Sequence, residues 1–587
     1  MEEAVGQASN FSVSFGDVHI APGQKITLPA PGVTVFVGPN NVGKSTVLRQ
    51  MHAISSQGVA GKPFPGAPTL IGGVGIKVSG DHKDALAWLE QHSRSREDIS
   101  PRRFYRPGGG EVQSQSIQHF LSTGMEGSGL GSLQPFVVYF GDPWNRISSV
   151  SPVEMRETLD QPPLHAIHAL QDDPDVFKEL NDLCLRVFKH PLTLDSLTRS
   201  VNIRVGVPTV DVPPVDRVTQ GYREALSELP RLEHQGDGMR SFIGLMLPLI
   251  TSTYHVVLID EPEAFLHPPQ ANQLGKILGA LAKEKSMQIV MATHDKNVLA
   301  GLLQSDADIS IVRLDRTSSD ITTAHQLSVA NLQRIWEDPV LRHTNVLDGL
   351  FHKLTVLAEG DRDCTFFSAA LESLSAKREL PLSPSDVLFV PSGGKGGLPL
   401  LIEVLSSASV PIVASPDLDV LDDKGFLERL VVSFGGDWAD FSGDYGQAVQ
   451  PFIQPREKFR VSVVLNSLNE VFKDRSSEIF NSDVAEEFRT LVRSRESPWK
   501  TLKLFGETAW NGNPAAAAAA QSLLGKLDAL GIVAVRVGEL ERFAPTLNVR
   551  KGPEWVPAAI SAGYHEKQAA QDHVTRILSS SVEGSLS

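Results

Sequence analysis

Two groups of residues in this chain have the types and spacing to do chemistry, and they lie more than 300 positions apart. The first is GPNNVGKST, residues 38–46: Gly38, four residues, then Gly43, Lys44, Ser45 and Thr46. Glycines at those positions let the backbone turn so that successive N–H groups, through Asn40 and Asn41, point at a phosphate. Lys44 supplies a positive charge at the β and γ oxygens, and the Ser45 hydroxyl can ligate Mg²⁺. A plain Gly/Asn turn before a helix is the alternative, but two further segments argue against it. HVVLIDEPE is an apolar strand ending in Asp260 and Glu261, where Asp260 can hold Mg²⁺ through water and Glu261 can polarise an attacking water. IVMATHD is another apolar strand, ending in His294, which is placed to sense a γ-phosphate.

The second group has no phosphate loop near it. LTVLAEGDRD ends an apolar strand in Glu359 and Gly360 and puts Asp363 one helical turn further on. VPIVASPDLD ends the next strand in Asp417 and Asp419. On adjacent parallel strands these carboxylates converge at the carboxyl edge of a sheet. Unpaired, they repel one another and raise each other's pKa; a divalent cation removes the conflict, and hard oxygen donors favour Mg²⁺ or Mn²⁺. For any single Asp a helix cap or turn is the simpler reading, and it is the one adopted for Asp422 and Asp423.

The elements that must position these groups are set by pattern. Residues 11–37 alternate and then become apolar, giving short antiparallel strands that lead into a buried strand. LQPFVVYFGDP reads as another buried strand, residues 151–200 as a helical insertion, and strands and helices then alternate to Arg316. A linker is expected over 317–350. A second alternation covers 351–430, a helical insert 431–513, and the remainder of that sheet 514–578, with GIVAVRVGELE as one more strand. Asn513 and Pro514 are placed to start a helix that six alanines propagate. Residues 579–587 read as a disordered tail. The fold class is therefore α/β, with two parallel-sheet domains.

Bulk properties narrow the function. A chain of 587 residues needs more than one core. Its 41% apolar and 21% charged content is that of a globular protein, and no apolar run is long enough to span a bilayer. The first ten residues do not read as a secretory signal, and two widely separated cysteines, Cys184 and Cys364, suit a reducing cytoplasm. A net charge of −15 argues against a protein that coats nucleic acid with its whole surface. Local basic runs remain available to DNA: Arg94 to Arg106, Arg456 to Arg460, and Arg489 to Lys503 with Trp499 for stacking.

EHQGDGMRSFIGLML, a Gly-rich turn opening a helix upstream of the acidic strand, resembles the signature motif of ABC-type ATPases. The resemblance spans residues 10–316. It implies ATP and Mg²⁺ as cofactors and carries over to Gly38, Gly43, Lys44, Ser45, Thr46, Gly238, Asp260, Glu261 and His294. Gly236 stands where most members have a serine, and FVVYF is followed by GDPWNR with no Q-loop glutamine placed. That family implies a homodimer or higher homo-oligomer through the ATPase domain. The second group, with VPSGGKGG between its halves, resembles a Toprim domain, and the order ABC-type ATPase then Toprim resembles the OLD (overcoming lysogenization defect) family of ATP-dependent nucleases. The resemblance implies one Mg²⁺ or Mn²⁺ on Glu359, Asp363 and Asp417 and a second on Asp419, Glu539 and Glu541. Lys551 would then offset charge on the phosphorus.

The function expected on these grounds is that of an ATP-hydrolysing, metal-dependent DNA endonuclease or nickase in bacterial anti-phage defence, with DNA and a companion defence protein as partners and no membrane. The alternative is a sensor or scaffold ATPase whose Toprim domain is inert. A topoisomerase lacks a recognisable tyrosine setting, a primase lacks zinc cysteines, and a chromosome-tethering ATPase lacks coiled-coil arms.

Overall fold

The first nucleotide-site strand, Gly32–Val37 (β1), is buried at every residue, as a central strand covered on both faces must be. In the computed structural model it belongs to the first of two units, Met1–Pro339 and Val340–Ser587. The structure describes residues 10–20, 23–58, 68–96, 101–106, 110–122, 129–158, 161, 163, 165–316, 321–327, 346–407, 409–453, 465, 469, 484–485 and 499–584.

β1 joins Val138–Gly141 (β2), Val256–Asp260 (β3), Gln288–Ala292 (β4), Ile309–Arg316 (β5) and Thr322–Leu327 (β6) in one sheet, ordered β6-β5-β1-β4-β3-β2. All neighbours are parallel except β5 with β6. Because β1, β4 and β3 are adjacent and parallel, their carboxyl ends bring the phosphate loop, His294 and Asp260 to one edge. A second, antiparallel sheet of Gln24–Thr27, Ser12–Ile20 and Ile71–Ser79 shares its core with this one. Gln288, 1% exposed, ties the layers: its side chain accepts from Phe15 N at 2.7 Å and donates to Phe15 O at 2.7 Å. Such pairing spares the amide the cost of burial.

Helix Lys44–Gln57 (α1) follows β1, and the short helix Pro143–Ser148 (α2), capped by Asp142, follows β2. Asp237–Thr251 (α3) buries eleven of its fifteen residues, the mark of a helix enclosed by protein on most sides. Three expectations need correction here. The predicted strand LQPFVVYFGDP is a one-turn helix, Gln134–Val137, followed by the four residues of β2. The insertion near 151–200 does hold helices Ala166–Asp172 and Pro174–Phe188. It is not helical throughout, however: Leu192–Asp195 and Val153–Glu154 are strands, both antiparallel to Ser200–Val205, where the segment VNIRVGVPTVDV itself reads as strand. The stretch 317–350, expected to be linker throughout, includes β6, which pairs with β5 and continues the first unit's sheet; the units divide at Pro339 and Val340, inside that stretch.

In the second unit, Leu354–Ala358 (β7) lies between Val387–Pro391 (β8) and Ile412–Ser415 (β9), all parallel. Asp361–Lys377 (α4) follows β7. Lys500–Phe505 (α5) precedes Pro514–Leu530 (α6), which starts as expected: Asn513 Oδ1 accepts from Ala516 N at 3.1 Å, and Gly531 ends it. Of GIVAVRVGELE only residues 532–535 run beside the sheet, through the single bridges Ala414↔Ile532 and Asp417↔Val535; the rest turns into a short helix at Leu540. The tail expected to be disordered is helical through Gly584. The described part of the 431–513 insert includes helix Ala439–Val449, packed on α6; residues 454–464, with Arg456 to Arg460, and 486–498 lie outside the described residues. The two cysteines are buried, and burial pushes both thiols up to about 12, against the thiolate that a nucleophile needs.

Candidate functional site: a phosphate loop and a carboxylate edge

At the end of β1, Gly38 has φ 140°, and a Cβ there would lie 2.2 Å from Leu314 O on β5. Only glycine fits that approach and that dihedral. The loop then turns through Asn40 and Asn41, both exposed, with Asn41 left-handed at φ 65°. α1 opens at Lys44 with no side chain capping it, so its first N–H groups remain available to an anion. Lys44 Nζ donates to Gly38 O and Pro39 O at 2.8 Å each, and burial lowers its pKa. Ser45 Oγ donates to Asp260 Oδ1 at 2.8 Å, so the two magnesium-binding candidates already touch. Asp260 is 3% exposed, and burial raises its carboxyl. Thr46 lies in the same first turn of α1.

Glu261 is exposed and left-handed, φ 46°, an uncommon state for a non-glycine residue and one that clusters at functional sites. His294 is exposed at the end of β4. Glu263 holds it, accepting from His294 N at 2.9 Å and lying 3.1 Å from His294 Nδ1. Burial raises the Glu263 carboxyl. Sequence reasoning missed both Glu263 and Arg146. Arg146 is wholly buried and donates from Nη2 to Glu261 O at 2.7 Å. The sequence signal for Glu263 was its place two residues past Glu261; for Arg146 there was none beyond the segment GDPWNR. Gly238 sits in the first turn of α3, where a Cβ would come 2.5 Å from Phe265 O.

On the second unit, Glu359 ends β7 and Asp417 follows β9, its amide donating to Glu359 Oε1 at 3.1 Å. Glu359, Asp417 and Asp419 each present a ligand atom, all within 4.8 Å of one another. Asp417 is buried; burial and the nearby Glu359 push its carboxyl up to about 8. Asp363 is pushed up to about 6, first by burial and then by Glu359. Crowded acids of this kind hold a hard divalent cation well, so the donor set fits Mg²⁺ or Mn²⁺.

The grouping differs from the expected one. Asp419 stands with Glu359 and Asp417, while Asp363 accepts from Gly360 N at 3.1 Å, capping its own helix. Glu539 and Glu541 do not join Asp419 in that group. Lys551 Nζ lies 2.9 Å from Glu539 and 3.1 Å from Glu541, and Arg362 lies 3.1 Å from Glu541. The segment after Val535 does not continue as a strand: it turns, with Gly538 O still accepting from Leu418 N at 2.9 Å, and enters a short helix at Leu540. Two lysines missed as site residues complete the first group. Lys503 of α5 lies 2.8 Å from Asp419 Oδ2 and 3.6 Å from Asp417 Oδ2, and Lys395 of the GGKGG turn pairs with Asp419 Oδ1. Gly538, φ 114°, lets α5 approach, since a Cβ there would lie 2.3 Å from Lys503 O.

A parallel sheet with its phosphate loop, acidic strand and histidine strand side by side, plus a glycine-led helix upstream, is the arrangement expected of an ABC-type ATPase fold. Residues 170–300 match the family described as "AAA domain, putative AbiEii toxin, Type IV TA system". The chain resembles the OLD nucleases. It is 28% identical over 215 residues to the OLD nuclease of Thermus scotoductus, covering 35% of this chain and 39% of that one. It is 24% identical over 174 residues to the Old nuclease of Escherichia phage P2, covering 29% and 28%. The chain thus spans well under half the length of these relatives. Solved structures similar to it include an SMC head bound to the C-winged helix domain of ScpA (13% identity, 55% of this chain and 99% of that one, TM-score 0.31). Another is cbiO1 from Clostridium perfringens (12%, 57% and 95%, 0.29). Among the described residues no helix is long and apolar enough to cross a membrane.

Proposed function

We propose that this protein is an ATP-binding and ATP-hydrolysing endonuclease that nicks DNA with divalent metal at a Toprim-type second unit. The observation that carries the reading is the convergence of Glu359, Asp417 and Asp419 at the carboxyl edge of β7 and β9. Their oxygens would hold Mg²⁺ or Mn²⁺, while Asp363 caps the helix that follows Glu359. A bound ion there would supply Lewis-acid activation of water and stabilisation of the leaving oxygen.

The chain's own residues then have defined tasks. Lys395 and Lys503 bring positive charge to the same edge, where it can offset that of a phosphodiester as it becomes pentavalent. Asp417 N keeps Glu359 in place. Lys551 lies on the segment beyond Val535, paired with Glu539 and Glu541; released from them, it would offset charge on the phosphorus. In the first unit the amides at the start of α1 and Lys44 would bind the phosphates, and Ser45 with Asp260 would hold the nucleotide's Mg²⁺. Glu261 orients the water, and His294, steadied by Glu263, reads the γ-phosphate. Gly238 on α3 would complete the site of a second copy in a homodimer. The resemblance to OLD nucleases favours a cytoplasmic role in anti-phage defence, with a companion protein.

One observation favours a second reading, a sensor or scaffold ATPase with an inert second unit: Glu539 and Glu541 are engaged by Lys551 and Arg362 instead of facing Asp419. Incubation of the purified protein with supercoiled plasmid and Mg²⁺ or Mn²⁺, with and without ATP, separates the two. Nicked plasmid that disappears in Glu359→Ala supports the nuclease; plasmid intact with every metal supports the scaffold.

A further inference from the structure

The segment between β2 and α3 contains a residue with an unusual position. Arg146 is fully buried, yet among the described residues no carboxylate closes on its guanidinium: its Nη2 donates to the carbonyl of Glu261 at 2.7 Å, and its Nε and Nη1 have no partner. A buried cation retained for one backbone acceptor is costly unless that acceptor matters. The acceptor belongs to the residue with φ 46°, a conformation that needs support from its surroundings. The amide of the same residue donates to Ala292 O on β4 at 3.0 Å, and its carbonyl also accepts from Ala264 N at 3.0 Å, so the peptide units on both sides of Glu261 are held, the second by a turn bond and by Arg146 together.

The other end of Arg146 is tied to α3. Ser149 Oγ donates to Arg146 O at 2.7 Å and lies 3.3 Å from Gly244 O. A Cβ on Gly244 would lie 1.9 Å from Arg146 O, so the helix that begins at the signature-like turn touches the Arg146 backbone directly. A single side chain therefore runs from the contact with α3 to the peptide that aims Glu261.

We infer that Arg146 is a positioning residue for ATP hydrolysis, holding Glu261 in its left-handed conformation and transmitting the placement of α3 to that carboxylate. The inference rests on the reading of the first unit as an ATPase with Glu261 orienting the water. Misplacing a catalytic group by a fraction of an ångström slows the chemical step and leaves nucleotide affinity alone.

The experiment uses the full-length protein. Arg146→Lys and Gly244→Ala are each expected to lower the kcat for ATP roughly ten- to a hundredfold, while the Kd for a fluorescent ATP analogue stays within about twofold. In a Glu261→Gln background, Arg146→Lys should add no further loss of kcat, because the group it positions is already disabled. Arg146→Met, which fills similar volume, serves if the lysine variant does not fold. Full kcat in the folded Arg146 variants, or losses that simply multiply in the double variant, would overturn the inference. Activity that survives both Lys44→Ala and Glu261→Gln would instead overturn the ATPase reading, so the two failures are distinguishable.

Discussion

The two charged edges of this molecule solve the same problem, concentrating like charge at the ends of parallel strands, by opposite means. In the first unit the acids are separated and individually held: Asp260 by the Ser45 hydroxyl, Glu263 by His294, and Glu261 by its own backbone. In the second unit Glu359, Asp417 and Asp419 are left close together, and lysines from two other segments, Lys395 and Lys503, balance them. Separated acids suit a site whose charge arrives with a nucleotide and its Mg²⁺. Crowded acids suit a site that exists to collect cations. Burial is the first cause of the raised carboxyls at Asp260, Asp363 and Asp417 alike; what differs is the next cause, the neighbouring Glu359 that raises Asp363 and Asp417 further, against the Ser45 hydroxyl that lowers Asp260.

Breaking the crowded edge should have the largest effect. Glu359→Ala is expected to lower Mg²⁺- or Mn²⁺-dependent nicking of supercoiled plasmid by roughly two to three orders of magnitude while ATP turnover is unchanged. Persistent nicking would remove Glu359 from the metal site. Breaking the separated edge comes next: Lys44→Ala should cut ATP hydrolysis by about a hundredfold and leave nucleotide-free nicking intact, as read by phosphate release and the same plasmid gel. A smaller loss, about tenfold in nicking rate, is expected for Lys503→Ala, because Lys395 still balances part of the charge. Equal rates for parent and variant would show that Lys503 neutralises the acids without touching substrate.

The smallest effect is one of stability. The Asp417 carboxyl sits at about 8 in the folded protein, above its range in an unfolded chain. The folded state therefore keeps a proton that the unfolded state releases, and this contribution is full below pH ~4 and lost as pH rises toward 8. Without metal, the thermal midpoint of the second unit should fall by a few degrees across that window. Mn²⁺ should restore more at pH 8 than at pH 5, and Asp417→Asn should flatten both trends. A midpoint that rises between pH 5 and 8 in EDTA would contradict the crowding.

Legibility in the sequence divides along the same line. The shape of the loop at 38–46 was readable because it lies in the backbone of nine consecutive residues, and glycine spacing reports backbone shape directly. Asp260, Glu261 and His294 were readable because each ends an apolar run whose length marks a buried strand. The carboxyl-edge acids Glu359 and Asp417 were found by the same rule. Their sorting was not: Asp419 joins Glu359 and Asp417 while Asp363 caps its helix, and nothing in the spacing of D-x-D or E-G-x-x-D distinguishes those outcomes. Lys503 was visible only as the end of a basic run. Its place beside Asp417 depends on Gly538, a residue 35 positions later whose missing side chain admits α5.

What the order of residues determined alone was everything carried by local backbone geometry and by the periodicity of burial: the shape of the loop at 38–46, the α/β alternation, the helix begun at Asn513, and the strand ends where polar groups collect. What the tertiary structure decided was which of those groups meet. Arg146 reaches Glu261, Lys503 reaches Asp419, and Glu539 and Glu541 turn toward Lys551, because such meetings depend on long-range packing and on where an extended segment turns. Charge and hydrogen-bond complementarity across distant segments has no period along a chain, so only the folded molecule reveals it.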